Sequence, residues 1–329
     1  MISFDGIPEI EEELKQVNRH LERLCQSNSD SMQKMMDWIL QSRGKQIRSI
    51  MTLLCSKLKG RKVDATETAA VIEMCHTASL VHDDIIDNAD LRRGQLSVQK
   101  KFGREMAVYA GDFLIFATIA RTGLMNKLWY RTMFAKLEHM CDGEVSQLDN
   151  HFNTSINEEQ CLNNIIGKTS AMFVIACGAG AYEGKCNAKE RADIQAFGEN
   201  FGLLFQLRDD LMDFVCSDVE SQKSIHNDFW CGYYTVPAIH TFGHPVYGPE
   251  LKKIAQDLKN GIQGEDVDDR ISDLIQKADG YNYTLSMIEG YAEKAKRNLD
   301  GFRDSAAKAK LIEIVDVFLE SAKNFPIPS

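Results

Sequence analysis

Apolar residues recur at three- and four-residue spacing along most of this chain, as in Leu14, Val17, Leu21 and Leu24 or Phe197, Phe201, Leu204 and Leu207. That is the period of one helix face, and little strand-like alternation accompanies it. The pattern predicts helices over roughly 9–26, 31–41, 46–59, 65–88, 96–121, 126–150, 158–183, 188–218, 228–242, 249–261, 266–278, 282–300 and 304–324. Proline, which removes a backbone donor, occurs only at 8, 237, 245, 249, 326 and 328, so the body from Glu9 to Val236 carries no helix breaker of that kind. Several of these helices are apolar on most faces and belong inside a large bundle. Asp64 followed by Glu67 predicts a capping box ahead of the fourth helix. Gly243 to Gly248 is the clearest loop, and no Ser/Gly-rich linker, tandem repeat or low-complexity stretch marks a boundary. The expectation is an all-α, single-domain bundle covering residues 1–329.

Composition narrows the classes. A net charge of −10 argues against a nucleic-acid partner, which would call for clustered Lys and Arg. No run of eighteen uncharged apolar residues occurs, and Met1 to Glu13 is acidic, without the basic start of a secretion signal. No integral membrane segment and a cytoplasmic location are therefore expected. Nine cysteines without a CxxC pair suit reduced, buried thiols rather than disulfides or zinc.

The chemistry concentrates in two acidic clusters, DDIID from Asp83 and DDLMD from Asp209. Residues i and i+4 share a helix face, so Asp83 projects with Asp87 and Asp209 with Asp213. The first face extends back to Ser79 and His76, the second to Gln206 and Gly202. A stripe of acids inside apolar helices is costly unless cations bind there, and Mg²⁺ favours a few carboxylates together with phosphate oxygens and water. One such motif is as easily a solvated acidic face; two, with basic and amide groups nearby, point to a magnesium-dependent enzyme acting on a diphosphate ester. Candidate anion ligands are Lys45 and Arg48 in RGKQIRS, Arg92 and Arg93 in DNADLRRG, and Lys168 and Thr169 in GKTS, each of which taken alone is as easily a surface group. His76 lies seven residues, about 10 Å, before Asp83 on the same face. His82 points off that face and is expected to be structural.

Taken together, GKQIRS, HTASLVHDDIIDNADLRRG, GDFL, GKTS and FQLRDDLMD resemble, in order, the signature regions of the trans-isoprenyl diphosphate synthases. The resemblance implies an all-helical bundle of the isoprenoid synthase type with a central apolar cavity, usually a homodimer. It also implies condensation of isopentenyl diphosphate with an allylic diphosphate by ionisation, condensation and elimination. It makes Asp83, Asp87 and Asp209 magnesium ligands, supported by Asp84, Asp210 and Asp213, around three ions. Arg92, Lys168, Thr169, Gln206 and Lys223 match positions that bind the allylic diphosphate; Lys45, Arg48, His76 and Arg93 match those that hold isopentenyl diphosphate. Asp83, Asp87, Asp209 and Lys168 are the expected catalytic set.

Two segments depart from the family pattern. GGKRLRP becomes RGKQIRS, and GKPxGNDLREGKxTLP becomes QKSIHNDFWCGYYTVP, placing Tyr233 where a diphosphate-contacting lysine is usual. Product length follows from helix geometry, because residues one turn before Asp83 form a floor for the growing hydrocarbon. Ala78 and Ser79 are small where short-chain members carry an aromatic ring, and Cys75 and Val71 continue the wall. The expectation is a product beyond fifteen carbons, thirty or more, with Phe113 and Phe116 as closures lower down or as core packing. Two alternatives remain: a subunit of a heteromeric synthase, favoured by Tyr233, and a class I terpene cyclase, disfavoured by the second DDxxD.

Overall fold

The computed structural model describes residues 8–122, 127–215, 225–262 and 264–326, and Lys223 lies outside them. The chain divides into two compact units. The first comprises 1–135, 172–195 and 299–311, the second 136–171, 196–298 and 312–329, so that α7 (Lys127–Asp149), α10 (Ala188–Val215) and α16 (Ala306–Lys323) contribute residues to both.

The first unit opens with α1 (Pro8–Leu24), α2 (Asp30–Gln41), α3 (Ile47–Lys57) and α4 (Thr66–Ile86). A hairpin of β1 (Leu91–Arg92) and β2 (Gln95–Leu96) leads to α5 (Val98–Phe102) and α6 (Arg104–Thr122), and α9 (Ala171–Glu183) lies largely in this unit. Helix α4 packs against α1, α3, α5 and α6. Its Ala69, Val71, Ile72, Met74, Ala78 and Val81 are all buried, because nearly every position meets a neighbour. Each large apolar side chain so buried stabilises by about 1.5–3 kcal/mol. On α3, Thr52 donates its hydroxyl to the Ala176 carbonyl of α9 (3.0 Å), a polar tie inside the same core.

The second unit holds α8 (Glu158–Ile165), a π-helical turn (Ile166–Ser170), α11 (Asn227–Trp230), α12 (Val236–Gly243), α13 (Gly248–Lys259), α14 (Val267–Lys277) and α15 (Gly280–Arg297). Its core gathers Phe201 and Phe214 of α10 with Phe229, Tyr234 and Phe242. The run from Glu158 to Glu183 has the length and mean hydropathy (1.3) of a membrane span, but 83% of its most apolar stretch is buried in the protein, as for a core helix.

The helical reading of the sequence holds, with four local corrections. The span predicted over 96–121 is divided, because Gly103 sits at φ 96° and ends α5. The span over 228–242 breaks at Gly232 (φ 77°), and α12 restarts with Pro237 in its first turn, where proline costs no hydrogen bond. The capping box at Asp64 does not form: Asp64 accepts from the Thr66 amide (3.0 Å) and hydroxyl (2.6 Å), while Glu67 pairs with Arg23 (2.9 Å). A reciprocal box does form at Asn157 and Gln160, opening α8. Phe116 is 66% exposed rather than a core residue.

Candidate functional site

In the first unit, DDIID closes α4. Asp84 is buried (3% exposed), Asp83 is half-buried and Asp87 is exposed. The hairpin sorts the two arginines that follow. Arg93 (φ 54°) and Gly94 (φ 75°) form its turn, both in the left-handed region that a tight two-residue hairpin requires. Arg92 thereby reaches back to Asp84, donating from Nε to Oδ1 at 2.8 Å with its Nη2 on the same oxygen. Arg93 instead donates to the Ser42 carbonyl (2.8 Å) and lies over Gly44, where a Cβ would come within 2.4 Å of the guanidinium carbon. Burial raises the Asp84 carboxyl above its ordinary range, and the Arg92 contact opposes the rise.

Arg48, on the first turn of α3, sits 3.0 Å from His76 Nε2 and 4.6 Å above the Phe173 ring. An arginine can only donate, so His76 Nε2 accepts and its proton resides on Nδ1. Burial, then the charges of Arg48, Arg93 and Arg92, push His76 well below the usual histidine range. It is a neutral donor beside three cations. Lys45 is exposed on the loop before α3. Four of these groups, Arg48, His76, Arg92 and Arg93, thus share one electropositive neighbourhood, and beside it buried Glu73 accepts from Ser49 Oγ (3.1 Å), its carboxyl raised by burial against the pull of Arg48 and Arg93. Ala78 and Cys75 are both buried, with the Cys75 thiol pushed up to about 12, while Ser79 donates to the His76 carbonyl (2.8 Å). A cavity in this unit is lined by Met74, Leu80 and Val81 of α4 with Leu21, Trp38 and Leu114, and it borders the charged cluster at Glu73, Asp84, Arg92 and Arg93 rather than Cys75, Ala78 or Ser79.

In the second unit, DDLMD lies in the last two turns of α10. Asp210 is buried and accepts from Gln206 Nε2 (2.7 Å), and Gln206 Oε1 accepts from Thr169 Oγ1 (2.7 Å). Burial pushes Asp210 well above its ordinary range, and Asp228, Asp209 and Asp213 add to the rise by repulsion. Arg208 donates to Asp209 (2.7 Å) and to Ser321 of α16 (2.9 Å). Lys168 rests on the π-helical turn, donating to Glu144 and Gln147 of α7 at 3.0 Å each. There the backbones of α7 and the turn touch: a Cβ on Gly143 would meet Gly167 Cα at 3.1 Å. Tyr233 stacks near His151 (5.1 Å between ring centres) and donates its amide to the Asp228 carbonyl (2.8 Å).

The sequence reading missed Glu144, Gln147, Asp228 and His226. Asp228 could have been suspected from its place in HND; the partners of Lys168 lie more than twenty residues away and carry no local signal. Among the described residues, no group of three or more His, Cys, Asp or Glu side chains is gathered tightly enough to hold a metal unaided. The donors that the two motifs offer are carboxylates, which suit Mg²⁺, an ion that keeps waters and borrows phosphate oxygens.

The polyprenyl synthetase family model matches residues 29–273, most of the chain and both aspartate sets. The chain belongs to that family. It is a prenyltransferase by membership, and the family is in general Mg²⁺-dependent. The family's heptaprenyl diphosphate synthase component 2 of Bacillus subtilis is 27% identical over 307 residues, covering 93% of this chain and 87% of that protein. Octaprenyl diphosphate synthase of Escherichia coli is 28% identical over 287 residues, 86% and 88% of the respective chains. Among solved family structures, a polyprenyl synthase of Caulobacter crescentus complexed with calcium and isoprenyl diphosphate superposes with a TM-score of 0.85 at 27% identity, over 94% of each chain. The heptaprenyl diphosphate synthase of Staphylococcus aureus shares the fold (TM-score 0.87, 24% identity, 94% of this chain and 98% of that one).

Proposed function

We propose that this protein condenses isopentenyl diphosphate with an allylic diphosphate to make an all-trans polyprenyl diphosphate longer than fifteen carbons, thirty or more. One observation carries the reading. In each aspartate set the buried acid is bonded within the protein, Asp84 to Arg92 and Asp210 to Gln206, while Asp83 with Asp87 and Asp209 with Asp213 occupy the more accessible side, where Asp209 also accepts from Arg208 and Asp213 from the Asp228 amide. Those outward carboxylates are the ones to bind Mg²⁺, with three ions expected, and residues 1–329 act as one catalytic domain.

Bound Mg²⁺ supplies Lewis-acid stabilisation of the diphosphate as it leaves the allylic carbon. Lys168 and Thr169 hold that diphosphate, joined by Arg92, Gln206 and, from outside the described residues, Lys223. Fixed donors of this kind stabilise the growing negative charge more than the ground state. Lys45, Arg48 and Arg93 hold isopentenyl diphosphate, and His76 contributes an Nδ1–H without adding charge. Apolar helix faces keep water from the cation, and no side chain in the motifs suits the final proton loss, which leaves the released diphosphate as the base. Small Cys75, Ala78 and Ser79 leave the hydrocarbon room to grow.

The exposed apolar face of α6, with Tyr109 at 64% and Phe116 at 66%, supports a homodimer. The eight described cysteines are all free thiols, which supports a reducing, cytoplasmic setting. A heteromeric subunit is the second reading, favoured because a relative is itself named as a component of a heptaprenyl synthase. Purified protein with Mg²⁺, farnesyl diphosphate and radiolabelled isopentenyl diphosphate separates the cases. Pyrophosphate with an elongated product means a synthase, and pyrophosphate without isopentenyl incorporation means a cyclase. Silence restored by a second protein means a subunit, and an exclusively fifteen-carbon product refutes the length assignment.

A further inference from the structure

His226 sits at φ 60°, ψ 24°, in the left-handed region that favours glycine. A non-glycine residue in that conformation is strained, and here the side chain is tightly held. The imidazole is wholly buried and bonded at both nitrogens to α14. Nδ1 lies 3.0 Å from Asp268 Oδ1, and Nε2 lies 3.1 Å from Ser272 Oγ. Asp268 can only accept from the ring, so Nδ1 carries the proton and Ser272 donates to Nε2. Trp230 Nε1 donates to the same Asp268 oxygen (2.7 Å), and Phe214 flanks the ring at 5.3 Å.

The turn fixed in this way closes on Asp213. The His226 amide donates to the Asp213 carbonyl (2.7 Å), and the Asp228 amide donates to Asp213 Oδ2 (3.1 Å). One carboxylate oxygen of Asp213 thereby accepts from the backbone of a turn in which the His226 side chain is buried and bonded at both nitrogens. We propose that His226, anchored by Asp268 and Ser272, is a positioning residue that orients the Asp213 carboxylate for metal-diphosphate binding. The proposal rests on the magnesium reading above. It makes α14 a support of the second aspartate set through a chain of four residues: Asp268, His226, Asp228 and Asp213.

The test uses the full-length wild type with Asp268→Ala, Asp268→Asn and His226→Gly. Backbone amide exchange is followed in metal-free protein, and Mg²⁺ binding in the presence of pyrophosphate by calorimetry. Loss of a group supporting a metal ligand typically weakens metal affinity about 10- to 100-fold. Asp268→Ala and His226→Gly should therefore weaken Mg²⁺ by about tenfold or more and speed exchange at residues 226 and 228. Asp268→Asn keeps an acceptor for both ring donors and should restore both readouts. Faster global unfolding with unchanged Mg²⁺ affinity in His226→Gly would overturn the positioning role, as would wild-type exchange and affinity in both disrupting variants. If wild-type protein itself binds no Mg²⁺ with pyrophosphate, the magnesium reading fails, while unaltered exchange at 226 and 228 in His226→Gly would still refute the anchor.

Discussion

Replacing Arg92 by methionine tests how the first aspartate set is built, because it deletes the guanidinium held against a buried carboxylate while keeping most of the stem's packing. Asp84 has 4% of its side chain exposed and Arg92 has 35%, so one end of the pair is dry and the other is partly in water. Removing one partner of a fully buried pair costs about 3–5 kcal/mol, and solvent at Arg92 already screens part of the attraction. We expect a loss of about 2–3 kcal/mol at neutral pH, or about 30- to 150-fold in the folding equilibrium.

The pH dependence has a definite sign. Burial already raises the folded-state value of Asp84, and without Arg92 it rises further. A carboxyl raised on folding contributes its full stability below the unfolded value of about 3.9 and loses it as pH climbs through the folded value. The deficit of Arg92→Met relative to wild type should therefore shrink towards pH 4 and be complete above neutrality. Urea unfolding across that range measures it. The double variant Arg92→Met/Asp84→Asn should recover at least half of the loss, since no buried charge remains. A single variant within ~0.5 kcal/mol of wild type near pH 7.5, below the cost of a stranded buried charge, would refute the reasoning. So would a double variant less stable than either single change.

Asp83→Ala and Asp209→Ala should each lower turnover by several orders of magnitude with circular dichroism unchanged, because a lost metal ligand forfeits stabilisation of the leaving diphosphate; near-normal rates would remove these residues from the site. Ser79→Phe should shorten the product by at least one isoprene unit, since one helical turn is about 5.4 Å, and chromatography of dephosphorylated products reads this directly. Glu73→Gln should be no less stable than wild type at neutral pH, because the buried Glu73 carboxyl is raised by desolvation and its charge is a burden once ionised. Its advantage should grow from pH 5 to 8 and vanish in acid; thermal melts that show the reverse slope would contradict the assignment.

Period and motif made the helices and both aspartate sets readable, because an i, i+4 acid pair inside an apolar helix is costly to keep unless a cation offsets its charge. What stayed hidden depended on single backbone angles or on distant partners. The apolar pattern runs through Gly103 without interruption, so only its positive φ reveals that α5 and α6 are separate. The capping box at Asp64 failed because Arg23, forty-four residues earlier, takes Glu67. The division of labour between Asp83 and Asp84 was invisible for a related reason: adjacent acids look equal in a string, and only the hairpin at Arg93 and Gly94 decides which of them Arg92 reaches. His226 was the least legible, since a histidine in HND gives no hint of the angle it occupies or of Asp268 forty-two residues on.

The π-helical turn at Ile166–Ser170 inserts wider winding into an otherwise regular rod. Ordinary α-geometry advances each residue by about 100°, so excising one residue there would let the rod wind evenly and gain conventional hydrogen bonding. The same deletion would re-aim the side chains within the turn, so that Lys168 and Thr169 could no longer both keep the neighbours they have on α7 and α10. A shorter and locally more comfortable helix would thus be a worse enzyme, which makes the irregularity a register mark that selection on stability alone would erase.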